Sequence, residues 1–114
     1  MISEGCIVVA ELPQADGKSK LRPILLLRVL PGFSDYLVCG VSTQLHQAVA
    51  GFDLVLTQDG EGFHETGLRA SSVVRLNFLA TLPQSRMVRL LGNVSADQLS
   101  VLQRNLANHI LSSD

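Results

Sequence analysis

Arg22-Pro23-Ile24-Leu25-Leu26-Leu27-Arg28-Val29-Leu30, then Pro31-Gly32, then Tyr36-Leu37-Val38-Cys39-Gly40-Val41, is the stretch that sets the fold class. Both apolar runs are short, and Pro31-Gly32 between them is turn chemistry. Proline presets φ and glycine accepts the positive φ that a tight turn needs. The reading is two antiparallel strands joined as a hairpin.

Working outward, residues 5–12 (Gly-Cys-Ile-Val-Val-Ala-Glu-Leu) are rich in β-branched side chains and stop at Pro13, which predicts another strand. Residues 13–21 predict a polar, flexible loop. Residues 44–51 lack a strand period and predict a loop or a short helical turn. Phe52 to Thr57 predicts a fourth strand, Asp59-Gly60-Glu61-Gly62 a turn, and Ser72 to Leu76, Leu79 to Leu82 and Met87 to Leu91 three more short strands. The period then changes. Ser95 and Gln98 have capping-box spacing, and Leu99, Leu102, Leu106 and Ile110 fall on one helical face. Short strands followed by one amphipathic helix predict a mainly β chain, a small antiparallel barrel with a C-terminal helix.

The 114 residues suit one domain, 1–114, and 46% of them are hydrophobic. So much apolar surface in a short chain implies that part of it is covered by a second subunit. Met1-Ile2-Ser3-Glu4 carries an acid where a secretory signal has bases, and no apolar run approaches a membrane-spanning length. Cys6 and Cys39 lie inside apolar runs without metal spacing, so buried free thiols and a cytoplasmic location are expected. The formal net charge of −1 provides no global field for nucleic acid.

Familiar ligand motifs are missing. His46, His64 and His109 are far apart, there is no P-loop, and Gly60-Glu61-Gly62 lacks the third glycine of a dinucleotide site. One Tyr, no Trp and four Phe do not make an aromatic platform for RNA bases. His64 and His109 read most simply as solvated side chains. No metal or cofactor is expected.

Several segments, in order, resemble the MazF/PemK family of endoribonuclease toxins. They are Gly5-Cys6-Ile7-Val8, Ser19-Lys20-Leu21-Arg22-Pro23-Ile24-Leu25-Leu26, Val41-Ser42-Thr43-Gln44, Thr66-Gly67-Leu68 with Ser71-Ser72-Val73-Val74-Arg75-Leu76, and Leu90-Leu91-Gly92-Asn93-Val94-Ser95. The resemblance spans nearly the whole chain. It implies an SH3-like barrel, a homodimer, and a cognate antitoxin whose disordered tail folds along the dimer surface. It also implies cleavage of single-stranded RNA by its own 2′-hydroxyl, without metal.

On that resemblance Arg22 would stabilise phosphate charge through its planar fork, with Pro23 fixing the backbone after it. Ser42, with Thr43 beside it, would supply a hydroxyl to the phosphate or the attacking group. Lys18, Lys20, Arg75 and Asn77 are candidate RNA contacts. Two departures stand out. Asn77 replaces an Asp that part of the family uses as acid and base, and neutral Asn is no general base. Cys6 replaces the usual Asp after Gly5. A noncatalytic toxin-fold protein, binding an antitoxin or inhibiting a protein target as gyrase inhibitors of this fold do, is the alternative. The composition makes a first prediction: light scattering at micromolar concentration will give twice the chain mass, and a monomeric mass would contradict the expected dimer.

Overall fold

The computed structural model describes residues 2–113. Six strands, β1 (Cys6–Pro13), β2 (Ser19–Val29), β3 (Asp35–Ser42), β4 (Leu54–Leu56), β5 (Ser72–Pro83) and β6 (Met87–Asn93), precede a single helix, α1 (Ala96–Leu111). They form one antiparallel sheet in the order β4-β5-β3-β2-β1-β6, curled into a half-barrel.

β2 sits near the middle, with Leu25 opposite Ile7 of β1 on one side and Cys39 of β3 on the other. Successive strand side chains point to opposite faces. Leu25 and Leu27 therefore join a core with Ile7, Val41 and Val74, which Leu102 of α1 covers. Ile24 and Leu26 enter a second core with Val8, Ala10 and Val38, closed by Tyr36 and Leu82. Both faces of the strand are buried, which is why residues 24–27 are all aliphatic instead of alternating with polar ones. Each such burial contributes roughly 1.5–3 kcal/mol relative to exposure.

The two end strands, β4 and β6, do not pair with each other. A 3-10 turn at His64–Thr66 lies against β6 instead, and Gly67 ends it with a positive φ of 72°. A Cβ at Gly67 would collide with the Leu91 backbone, and one at Gly92 with the backbone of Glu65 and Thr66. Only glycines allow the main chains to approach so closely.

Three expectations shift. The fourth strand is only Leu54–Leu56, because the amides of Phe52 and Asp53 both turn back to the Val49 carbonyl. The segments 72–76 and 79–82 are one long strand. Cys39 faces Leu79 while its neighbour Gly40 faces Arg75, so Leu76, Asn77 and Phe78 bulge from the ladder. Third, Leu102 is fully buried on α1, yet Ile110 on the same stripe is 69% exposed. Phe33, Ile110 and Leu111 remain as large exposed apolar side chains.

Both cysteines are buried and free. Burial, and secondarily the charge of Asp53, push the Cys39 thiol far above its ordinary range. The capping box forms in full: Ser95 Oγ accepts from the Gln98 amide at 3.1 Å, and Gln98 Oε1 accepts from the Ser95 amide at 3.0 Å. Replacing Ser95 with Ala should therefore lower stability by about 1 kcal/mol. The check is urea unfolding, with a lower midpoint and an unchanged m-value.

Candidate functional site

The β2–β3 ladder begins at the Ile24–Gly40 pair. Arg22 and Pro23 precede that pair on β2, where they are bonded only to β1, through Ala10 and Val9. Proline is tolerated there because the ladder toward β3 has already ended. On the other side, β3 runs on to Ser42 beside β5, with Ser42 opposite Val73. The divergence opens the sheet.

Two adjoining cavities fill the opening. One, of about 330 Å³, is lined by Arg22, Ser42, Thr43, Arg69 and Ser72 among others. The second, of about 450 Å³, shares Arg22, Ser42 and Gln44 and adds Gln47, Arg75 and Phe78. Three arginines thus meet around three hydroxyl residues, and no carboxylate or imidazole lines either cavity. The local field is cationic although the chain as a whole is not.

Each group has a reason for its place. Ser42 Oγ accepts from the Gln44 amide at 3.1 Å, so its position is held while its proton stays available to donate. Arg69 sits on a segment held by Gln58: the Gln58 amide donates to Ser71 Oγ at 2.8 Å and Gln58 Nε2 to the Arg69 carbonyl at 2.9 Å. Arg75 is paired with Gly40 across the strands, and the Phe78 ring lies where a Gly40 side chain would be, 3.1 Å from an added Cβ. Among the described residues the Arg75 Nε is buried without a hydrogen-bond partner. A buried donor of that kind is costly unless a ligand or water satisfies it.

Of the expected residues, Arg22, Ser42, Thr43 and Arg75 are brought together. Lys18 and Lys20 line neither cavity: Lys18 lies in a turn, its amide donating to Asp16 Oδ1 at 3.0 Å, and Lys20 pairs with Leu12. Asn77 is carried by the bulge into a separate cavity beside α1. Sequence reasoning did not single out Arg69 or Gln47, and it quoted Gln44 only within the Val41-Ser42-Thr43-Gln44 stretch. It also missed Asp53, whose Oδ1 accepts from the Leu76 amide at 2.9 Å and Oδ2 from the Val49 amide at 2.9 Å. That carboxylate ties the loop before β4 to the bulge next to Arg75. An Asp two residues after a Gly in a loop carries no distinctive signal.

A family model described as the PemK-like, MazF-like toxin of type II toxin-antitoxin system matches residues 3–110. Among solved structures, the Mycobacterium tuberculosis toxin MazF-mt6 is similar to this chain at 26% identity and a TM-score of 0.65. The match covers 92% of this chain and 95% of that one. No curated protein sequence matches the chain. For the site itself the prediction concerns Asp53. Its replacement by Ala leaves the Leu76 and Val49 amides unpaired and should cost roughly 1–3 kcal/mol. Faster hydrogen exchange at those two amides, with the helix amides unchanged, is the check.

Proposed function

Because the chain belongs to the PemK-like, MazF-like toxins of type II toxin-antitoxin systems, we propose that it is a one-domain endoribonuclease that cuts single-stranded RNA without a metal. Its partners on this reading are a second copy of itself and a cognate antitoxin, and its place of action is the cytoplasm. Among the described residues no helix is long and apolar enough to cross a membrane.

The observation that carries the proposal is the convergence of Arg22 and Ser42 in both cavities, flanked by Arg69 and Arg75. RNA supplies its own nucleophile. The 2′-oxygen attacks the adjacent phosphorus, the bond to the 5′-oxygen breaks, and a 2′,3′-cyclic phosphate and a 5′-hydroxyl result. One proton leaves the 2′-hydroxyl and one reaches the departing oxygen. What the protein must add is a fixed strand and compensation for the charge that builds on the phosphate oxygens.

Arginine suits both tasks, since its planar fork takes two phosphate oxygens and stays charged at any working pH. Arg22 is assigned the charge-stabilising role, and Ser42 and Thr43 donate hydrogen bonds to the phosphate or steer the 2′-hydroxyl. With no carboxylate or histidine on the cavity walls, the proton transfers fall to hydroxyls and water, while the arginines hold charge. The rate enhancement then comes mainly from preorganised donors, often the largest single contribution in such sites. Lys18 and Lys20, on the rim, would contact phosphates farther along the strand.

The test is cleavage of long unstructured RNA in EDTA. Wild-type protein should cut, leaving cyclic phosphate ends, and Arg22→Ala should lower the rate by about 10²-fold or more. Intact RNA across many sequence contexts, with antitoxin binding retained, would identify the noncatalytic alternative instead.

A further inference from the structure

A cavity of about 550 Å³ lies outside the arginine cluster and is lined by Asn77, Asn105, Asn108, His109, Phe52 and neighbours. We propose that it is a pocket for one unpaired RNA base. The inference rests on the RNA-cleaving reading above and adds to it where the strand is read.

The lining has the chemistry of a neutral, planar, hydrogen-bonding ligand. Three asparagines meet there and no acid or fixed cation does. A carboxamide presents a donor and an acceptor side by side, the pattern that a base edge complements. Asn105 uses its Nδ2 on the Phe52 carbonyl at 2.9 Å, which fixes its orientation. Among the described residues the side-chain amides of Asn77 and Asn108 have no hydrogen-bond partner, so both are open to a ligand. The rings of Phe52 and His109 lie 5.3 Å apart at 59°, giving an aromatic wall against which a base can stack.

Position supports the assignment. The β5 bulge sends Phe78 toward the arginine groove and Asn77 into this cavity. The loop between β3 and β4 does the same, with Gln47 on the groove and Val49 to Phe52 on the cavity. The two spaces are therefore back to back across one strand and one loop. In the proposed arrangement a strand with its phosphate against Arg75 passes over the loop between β3 and β4 to place a base in the amide pocket. Phosphate contacts hold the strand, and the amides distinguish bases.

Fluorescein-labelled 2′-O-methyl octanucleotides of A, C and U, with an abasic octamer as control, test this without cleavage, because the methyl group blocks the attacking oxygen. Asn77 and Asn108 are exposed, so an Asn77→Ala/Asn108→Ala variant keeps its core. Wild-type protein should bind one homopolymer about tenfold or more tighter than the abasic octamer. The double variant should bind all four with the abasic affinity, because the arginines still hold the backbone. Base discrimination that survives in the double variant overturns the pocket, as does equal wild-type affinity for every octamer. So does a changed oligomeric mass of the variant, which would mark a subunit contact. Failure of the wild type to bind any octamer would instead remove the RNA reading itself, and the pocket with it.

Discussion

The structure depends on the burial of β2 on both faces. Leu25 and Leu27 on one side and Ile24 and Leu26 on the other are sealed from water by two separate cores. A one-residue slip would exchange the two sets of side chains and mismatch both cores, so the register is tightly held. That rigidity extends as far as Ile24 and then meets a proline. Beyond it β2 keeps β1 and gives up β3. The candidate site is the space left by this half-finished pairing, and Arg22 stands where the held strand gives way to the opening.

Such an arrangement explains how a chain with net charge −1 can present a cationic groove. Charge acts locally: beyond roughly 10 Å at ordinary ionic strength, exposed charges are screened. Arg22, Arg69 and Arg75 come from three separate stretches of sequence and share one opening, while acids such as Asp53 are turned toward backbone amides. The walls are partly apolar, through Val41, Leu68 and Phe78. A phosphate placed there interacts more strongly with the guanidinium groups than it would in open water.

Much of this was legible from local chemistry. Pro31-Gly32 marked the hairpin, and Ser95 with Gln98 marked the helix start, because both signals act over a few residues. Arg22, Ser42, Thr43 and Arg75 were singled out through resemblance, and they line the shared opening. What escaped was set by distant partners. Arg69 gains its place from Gln58, and Asp53 is defined by the Leu76 amide far along the chain. The amphipathic period on α1 correctly placed Leu102 in the core. It could not show that Ile110, on the same stripe, is left mostly in solvent.

The bulge at residues 76–78 changes what the neutral Asn77 means. In a regular strand a residue two places after Arg75 would share its face, next to the phosphate, where exchanging a carboxylate for an amide would disable proton transfer. The extra residues turn Asn77 into the cavity beside α1, among Asn105 and Asn108. A carboxylate there would face two amides and a histidine, away from Arg22. Under the proposed chemistry the substitution bears on which RNA is held more than on how the bond is broken, and the catalytic demand returns to Arg22 and the Ser42 hydroxyl. An amide at position 77 also suits a pocket that must accept a neutral base, since a fixed charge in it would have to be desolvated each time the base entered.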